Sequence, residues 1–502
     1  LTHPMTESNL KSRTVKGFFW RLAERFGTQG IGFVVSLVLA RLLGPDAYGT
    51  LALLAIFISL SNVFVDCGFG TALVRKKDAT DLDFNSVFYL SLSVAAVFYG
   101  ILYVSAPWIA DFYRRPVLVP LLRVLAFSVI INSVNGVQNA VLARGLLFNL
   151  SFRIGLVQTV TTGLVGIASA YAGLGVWALV WGTLGGGLAG TAVRWFLIGW
   201  RPRFMFSFDA LHGLFSFSWK LLCSALLDTF FVNLYGLVIG RVYTPSDLAF
   251  YNRGRQFPQA AMDAVNGSLT SVMFPAFSKL QDDIPRLRNA VRKSLQLSTF
   301  VVFPLMAILA AVAAPLVEFL LGAKWLPTVP YMRIACVIFA LWPVHTINLQ
   351  VLTALGRSDI FLKLEILKKI MSVSVLFFSI RHGVLFLACM ELVVSSPISA
   401  FLNSHPNGRL VGYGTRRQVR DLLPMFLWNA LIGLGVACLP PLLDRLGSAS
   451  AFLCLAVQGL AGALAWSALV LLWRPEAGRI LLEQIPPAWR GKIPFPKAKK
   501  PS

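Results

Sequence analysis

Long apolar runs recur along the whole chain and are separated by short polar breaks. They predict about fourteen helical spans, at residues 15–42, 47–70, 85–108, 117–142, 153–172, 175–199, 210–242, 247–276, 291–316, 329–355, 361–381, 383–404, 422–443 and 449–473. A span of this length crosses a hydrocarbon core of about 30 Å. The runs are continuously apolar, whereas transmembrane strands alternate apolar and polar positions. The pattern therefore predicts an all-α polytopic membrane protein.

Polar residues interrupt these spans at helical spacing. A charge at the bilayer centre costs about 2.5–3.5 kcal/mol, so such residues face protein or water. The longest stripe lies on span 8 and consists of Asn252, Arg255, Gln259, Asp263, Asn266 and Thr270. Shorter stripes are Arg21, Arg25 and Thr28 with Glu24 on span 1, Ser59, Asn62 and Asp66 on span 2, Ser128, Asn132, Asn135 and Asn139 on span 4, and Lys220, Ser224 and Asp228 on span 7. Spans 12 to 14 are almost bare of polar residues.

Two interpretations of the stripes are open. The stripes could join helices through hydrogen bonds and ion pairs, such as Lys220 with Asp228. We favour a shared hydrated cavity between two lobes, in which the arginines meet an anion. Arg253 and Arg255 point about 200° apart on a helix, so both cannot face the centre of such a lumen.

A short motif supports two lobes. Span 1 ends in "LARLLGPDAYGTL" and span 7 in "VIGRVYTPSDLAFY", which places Arg41 and Pro45 in register with Arg241 and Pro245. The copies lie six spans apart and share one orientation, which predicts a parallel repeat of two six-helix lobes around a central lumen. The predicted domains are residues 1–208, 209–405, an extra helix pair at 406–474 and a basic tail at 475–502.

The charge of the chain is explained by topology. The chain has 502 residues, 45 lysines and arginines and a net charge of +23. Most of these cations fall on one face if the N-terminus is cytoplasmic, and the positive-inside rule then places both termini in the cytoplasm. The tail "GKIPFPKAKK" also suits an anionic inner leaflet. A nucleic-acid partner is not needed to explain the charge.

Signatures of catalysis are weak. The six cysteines and five histidines are scattered, so we predict no metal site and no cofactor. The chain has no G-x-x-x-x-G-K-[ST] motif for ATP. Asp81 and Asp83 form a D-x-D in a short basic loop, and no nucleotide-binding domain surrounds it. We therefore predict that the protein is not an enzyme.

Three segments together resemble a known family. These are "WRLAERFGTQGIGFVVSLVLARLLGPDAYGTLAL", "VDCGFGTALVRKKD" and "FYNRGRQFPQA". They look like Wzx-type flippases, the polysaccharide branch of the multidrug/oligosaccharidyl-lipid/polysaccharide exporter superfamily. The resemblance implies a multi-pass protein of the bacterial inner membrane that flips an undecaprenyl-diphosphate-linked oligosaccharide by alternating access. Membrane lipids, a polysaccharide polymerase and export machinery would be its further partners.

The resemblance also implies roles for particular residues. The diphosphate would meet Arg25 on span 1 and Arg253 or Arg255 on span 8, because guanidinium groups fork onto phosphate oxygens. The remaining candidates for substrate contact are Lys220, Asn132, Asn135 and Gln259. The acids Glu24, Asp66, Asp228 and Asp263 would balance charge or carry a coupling ion.

The alternatives are an ion-coupled multidrug or metabolite exporter of the same superfamily and a membrane-embedded glycan polymerase or ligase. An exporter of that kind would be expected to have a lumen dominated by acidic residues. A polymerase or ligase would be expected to have a large periplasmic loop.

Overall fold

The computed structural model describes residues 27–439, 450–473 and Gly478. The described residues form helices joined by short connections, and no strand occurs among them. The predicted all-α fold is therefore confirmed.

The described helices pack into two units that divide between Ala249 and Phe250. The first unit contains α1 (Gly27–Leu42), α2 (Pro45–Asp66), α3 (Phe69–Arg75), α4 (Asp81–Tyr113), α5 (Leu118–Leu125), α6 (Phe127–Arg144), α7 (Phe148–Tyr171), α8 (Trp177–Leu197), α9 (Phe208–Val242) and the first turn of α10 (Pro245–Lys279). The second unit continues with α11 (Ile284–Ala311), α12 (Ala313–Leu321), a 3-10 turn (Ala323–Thr328), α13 (Val329–Ala340), α14 (Trp342–Ala354), α15 (Ser358–Ser379), a 3-10 turn (Ile380–His382), α16 (Val384–Met390), a π-helical segment (Glu391–Ser395), α17 (Ser396–Leu410), α18 (Thr415–Ala437) and α19 (Ala451–Trp473).

Every predicted span overlaps a helix within the described residues. Ten helical stretches of that part of the chain are long and apolar enough to cross a membrane. The other four predicted spans coincide with α1, α8, α10 and α15. Glycines and Arg194 lower the hydropathy of α8, and polar residues lower that of α10 and α15. The count of fourteen spans and the four-part domain division stay predictions.

The Arg-x3-Pro motif has the same local structure in both places. α1 ends at Leu42 and α2 begins at Pro45, while α9 ends at Val242 and α10 begins at Pro245. Proline suits the first helical position, where its missing N–H would have no partner in any case. At the second copy, Thr244 and Asp247 cap the helix reciprocally, because the Asp247 N–H donates to Thr244 Oγ1 at 3.2 Å and the Thr244 N–H donates to Asp247 Oδ2 at 3.1 Å.

Small residues bring α7 and α8 together. A Cβ atom placed on Gly186 would lie 1.9 Å from Thr162 Oγ1 and 2.8 Å from the Gln158 carbonyl oxygen. Close backbone approach of this kind drives helix association in lipid, where apolar surface alone gives little preference for protein contact. Gly186 lies in the run "GGGLAG" at residues 185–190, and this run therefore provides a small-residue packing face.

Polar contacts hold the ends of the helices that carry the candidate site. Arg144, the last residue of α6, donates to the carbonyl oxygens of Leu73 at 3.1 Å and Lys76 at 2.6 Å. These carbonyls have no partner inside the short helix α3, so the guanidinium stabilises its end. The contact ties α3 to α6, and α6 contributes the polar stripe described below.

Candidate functional site

A polar cavity of about 410 Å³ lies inside the first unit. Its walls come from α2, α3, α4, α6, α7 and α8. The polar side chains that line it are Asn62, Asp66, Ser91, Asn132, Ser133, Asn135, Asn139, Gln158 and Arg194. We call this space the first-unit cavity. Its volume falls within the range of about 300–1,000 Å³ that small-molecule sites occupy.

The stripes predicted on spans 2 and 4 meet in this cavity. Asn132 Nδ2 on α6 donates to Asn62 Oδ1 on α2 at 3.1 Å. Asn135 is buried, and its Oδ1 accepts from Thr191 Oγ1 on α8 at 3.1 Å. Asp66 ends α2, and its side chain is exposed and lines the cavity. The structure thus brings together three predicted site residues, Asp66, Asn132 and Asn135.

Arg194 is the residue of this cavity that sequence reasoning missed. It lies in the last turn of α8, and its Nε and Nη1 atoms are buried without a hydrogen-bond partner among the described residues. A Cβ atom on Gly190, one turn earlier, would lie 3.2 Å from Nη1 and 2.8 Å from Gln158 Oε1. Glycine at this position leaves room for the guanidinium beside the amide.

The second unit holds the arginines of "YNRGR". Arg255 Nη1 donates to Glu391 Oε2 at 2.6 Å and to the Tyr251 hydroxyl at 3.2 Å. Tyr251 also donates to the same carboxylate oxygen at 3.2 Å. The guanidinium carbon lies 5.7 Å from the centre of the Phe339 ring. Arg255 is therefore a partly buried cation that is held by an acid and an aromatic wall.

Arg253 has a different environment. Its side chain is only 6% exposed, it donates to Gln256 Oε1, and its guanidinium carbon lies 5.6 Å from the centre of the Trp325 ring. Gly254 separates the two arginines, and a Cβ atom there would lie 2.6 Å from Tyr331 Cβ. Glycine is thus required for α13 to pack directly on this turn of α10.

The remaining predicted site residues are spread over other surfaces. Lys220 on α9 is exposed, with its Nζ 6.0 Å from the centre of the Trp219 ring. Asp228, Gln259 and Asp263 are also exposed. Arg25 and Glu24 lie outside the described residues. The described structure thus places Asp66, Asn132 and Asn135 in the first-unit cavity and Arg255 beside Glu391. Arg253 and the four exposed residues belong to neither site.

Two functional candidates were missed for different reasons. Arg194 lies near the end of span 6, where the positive-inside rule by itself explains the presence of a basic residue. Glu391 is a lone acid in span 12, a region that is predicted to be almost bare of polar residues. A lone acid in an apolar run is itself a signal, because it needs a partner inside the bilayer.

The fold and the polar cavity together are typical of a membrane transporter, and comparison with known proteins agrees. A model of the family described as "Polysaccharide biosynthesis protein" matches residues 38–330, and the chain belongs to this family. The resemblance predicted from the three segments is therefore confirmed.

Curated relatives carry related names. The chain is 26% identical over 366 residues to the lipopolysaccharide biosynthesis protein WzxC of Escherichia coli K12, which covers 72% of this chain and 74% of that protein. It is 25% identical over 429 residues to the teichuronic acid biosynthesis protein TuaB of Bacillus subtilis 168, and the match covers 84% of this chain and 88% of TuaB. The succinoglycan biosynthesis transport protein ExoT of Rhizobium meliloti 1021 is 25% identical over 306 residues, and the match covers 61% of this chain and 62% of ExoT.

Solved structures share the fold. The lipid II flippase MurJ in an inward closed conformation matches 93% of this chain and 100% of its own, with a TM-score of 0.67 and 14% identity. An inward-facing multidrug resistance transporter of the MATE family matches 81% of this chain and 95% of its own, with a TM-score of 0.59 and 16% identity. The protein is thus a multi-pass membrane protein with a MurJ- and MATE-like transporter fold.

Proposed function

We propose that this protein moves an undecaprenyl-diphosphate-linked oligosaccharide repeat unit from the cytoplasmic to the periplasmic leaflet of the bacterial inner membrane. The unit would then enter lipopolysaccharide or exopolysaccharide biosynthesis. Family membership and the names of the relatives support this substrate class. The observation that carries the proposal is the first-unit cavity, which is rich in amides inside a bundle of apolar helices.

The chemistry of the substrate explains why such a cavity is useful. A sugar head group has many hydroxyls, and each loses hydrogen bonds to water when it enters hydrocarbon. Asparagine and glutamine side chains both donate and accept hydrogen bonds, so they replace the lost water contacts. The prenyl chain needs no such help and stays in lipid. The head group would cross by alternating access, through a lumen that the arginines of spans 1 and 8 would make cationic.

The arginines have separate roles in this proposal. Arg255 would receive the diphosphate by exchanging Glu391 for phosphate oxygens, which fit the planar fork of a guanidinium. The tighter burial of Arg253 and its contacts with Gln256 and Trp325 favour Arg255 as the receptor of the two. Arg25 remains the proposed receptor on span 1. Glu24, Asp66, Asp228 and Asp263 remain proposed carriers of balancing charge or of a coupling ion.

The proposed topology has both termini in the cytoplasm. The repeat unit would be delivered to the outer leaflet, where a polysaccharide polymerase and export machinery would consume it. Consumption of the product would keep its concentration low and favour net outward movement. Lipid-linked glycan and membrane lipids are thus the proposed direct partners.

A deletion strain tests the proposal. We expect lipid-linked repeat units to accumulate on the cytoplasmic face and surface polysaccharide to fall at least tenfold, with recovery when the wild-type gene is returned. Undecaprenyl-linked sugars are measured by mass spectrometry of lipid extracts. Normal surface polysaccharide together with new sensitivity to drugs would instead support the multidrug exporter.

A further inference from the structure

The first-unit cavity contains one cation and one anion. Among the described residues that line it, Arg194 and Asp66 are the two charged ones, and no hydrogen bond joins them. The other polar members are amides and hydroxyls. Arg194 is half-buried as a residue, and its Nε and Nη1 atoms are buried without a hydrogen bond, which is unfavourable because a lost hydrogen bond to a charged group costs more than one to a neutral group. The cavity is therefore suited to a partner that brings an anionic oxygen.

The position of Arg194 offers a simpler role, and the surroundings of its Nε and Nη1 atoms argue against it. A basic residue in the last turn of a helix often contacts the terminal carbonyls or extends to the membrane surface. In that case its nitrogen atoms would be hydrogen-bonded to carbonyls or exposed. Here Nε and Nη1 are buried and make no hydrogen bond to a described carbonyl. Arg194 lines the cavity together with Gln158, and the lack of a side chain at Gly190 leaves room for both.

The balance of charge selects the kind of anion. A diphosphate would place at least two negative charges in a cavity that offers one guanidinium and already contains the carboxylate of Asp66. A single carboxylate would instead be neutralised by the guanidinium of Arg194. Asp66 would then accept hydrogen bonds from hydroxyls, as would the amides of Asn62, Asn132 and Gln158. This combination matches an acidic sugar ring rather than a phosphate.

We propose that the first-unit cavity binds one carboxylate-bearing sugar of the transported head group, with the carboxylate on Arg194. This inference rests on the proposed function and specifies the substrate class of the same site. It makes Arg194 a determinant of specificity for acidic repeat units. The diphosphate of the carrier would bind elsewhere.

The test uses the full-length protein in lipid nanodiscs and saturation-transfer NMR with three probes, D-glucuronate, D-glucose and inorganic pyrophosphate as a competitor. We expect saturable binding of glucuronate at least tenfold tighter than that of glucose, and no displacement by equimolar pyrophosphate. R194Q should weaken glucuronate binding at least tenfold. The control R153Q changes an exposed arginine on α7 outside the cavity and should bind like wild type.

A second variant covers the case in which R194Q does not fold. N139D adds a carboxylate at an exposed residue that lines the cavity, with almost no change in volume. It should weaken glucuronate binding more than glucose binding, because only glucuronate carries a charge that the new carboxylate repels. Equal glucuronate binding by wild type and either variant would overturn the assignment, as would the lack of a saturable signal on wild type. Displacement by pyrophosphate would assign the site to the carrier phosphate instead.

These outcomes are separate from the proposed function. A deletion strain that loses surface polysaccharide, combined with unchanged binding in R194Q, would reject the sugar site and leave the flippase in place. A deletion strain with normal polysaccharide would reject the flippase itself.

Discussion

Arg255 shows how one side chain can satisfy the bilayer and still serve transport. Its pair with Glu391 has an N···O distance of 2.6 Å, and the two side chains are 25% and 17% exposed. A charge taken from water without a partner is strongly unfavourable, and pairing compensates part of that penalty. The pair therefore explains why an arginine is tolerated on this turn of α10. It also means that a phosphate group must compete with a carboxylate for the same guanidinium.

The first prediction concerns Arg255. We expect R255A to lower surface polysaccharide at least tenfold while the protein still accumulates in the membrane, because the proposed phosphate receptor is lost. The control R409A changes an exposed arginine of the second unit and should export normally. Surface polysaccharide per unit of membrane protein is the measured quantity. Normal export by R255A would remove Arg255 from the transport site.

A double variant separates transport from stability. If the ion pair only stabilises the fold, then R255L and E391L should each lower the melting temperature, and the double variant should recover both stability and export. If Arg255 receives the diphosphate, the double variant should recover stability and remain inactive. The melting temperature in detergent and the export level of the same variants decide between these roles.

At the scale of the helix, packing of α7 on α8 shapes the first-unit cavity. Gln158 on α7 and Arg194 on α8 both line it, and Gly186 lies two turns before Arg194. A side chain at Gly186 would separate the two helices and so move two walls of the cavity. The small-residue face thus contributes to the site as well as to stability.

A matched pair of glycine substitutions tests this contact. G186A should destabilise the protein by about 1–3 kcal/mol, the usual range for overpacking, because the Gln158 carbonyl oxygen stands 2.8 Å from the new Cβ. G100A on α4 makes the same chemical change where nothing lies within 4 Å, and it should be neutral or slightly stabilising. Thermal unfolding in detergent measures both. Equal melting temperatures would show that α7 and α8 can separate without loss.

At the scale of the whole molecule, the proposal requires water-accessible polar residues among helices that face lipid. Asn139 is an exposed polar residue that lines the first-unit cavity, whereas Leu164 on α7 is an apolar residue that is 66% exposed. In a membrane, the first should meet water and the second should meet acyl chains. An exposed side chain of the first unit can therefore face either water or lipid.

Cysteine labelling distinguishes residues that face water from residues that face lipid. In a background without the six native cysteines, N139C should react with a water-soluble maleimide, and L164C should react at least tenfold more slowly because a thiolate does not form in hydrocarbon. Gln259 on α10 is exposed, and Q259C should also react. Mass spectrometry of the labelled protein gives the rates. Complete protection of N139C and Q259C would indicate dry helix contacts and contradict a hydrated pathway.

Much of the helical organisation could be predicted without coordinates. Apolar runs and helical periodicity are local properties, so they located the helices and the polar faces of α2 and α6. Asp66, Asn132 and Asn135 were predicted because their spacing places them on those faces. The boundaries moved by a few residues, since polar ends such as Asp81 to Asn85 extend a helix beyond its apolar run.

The amino-acid sequence by itself determined an all-helical membrane protein of the polysaccharide biosynthesis family with polar faces on particular helices. Only the tertiary structure decided which faces meet. It paired Arg255 with an acid 136 residues away, buried two nitrogen atoms of Arg194 in a cavity, and packed α9 with the first unit. The physical reason is that periodicity specifies the direction of a side chain on its own helix, whereas its partner depends on which helix packs against that face.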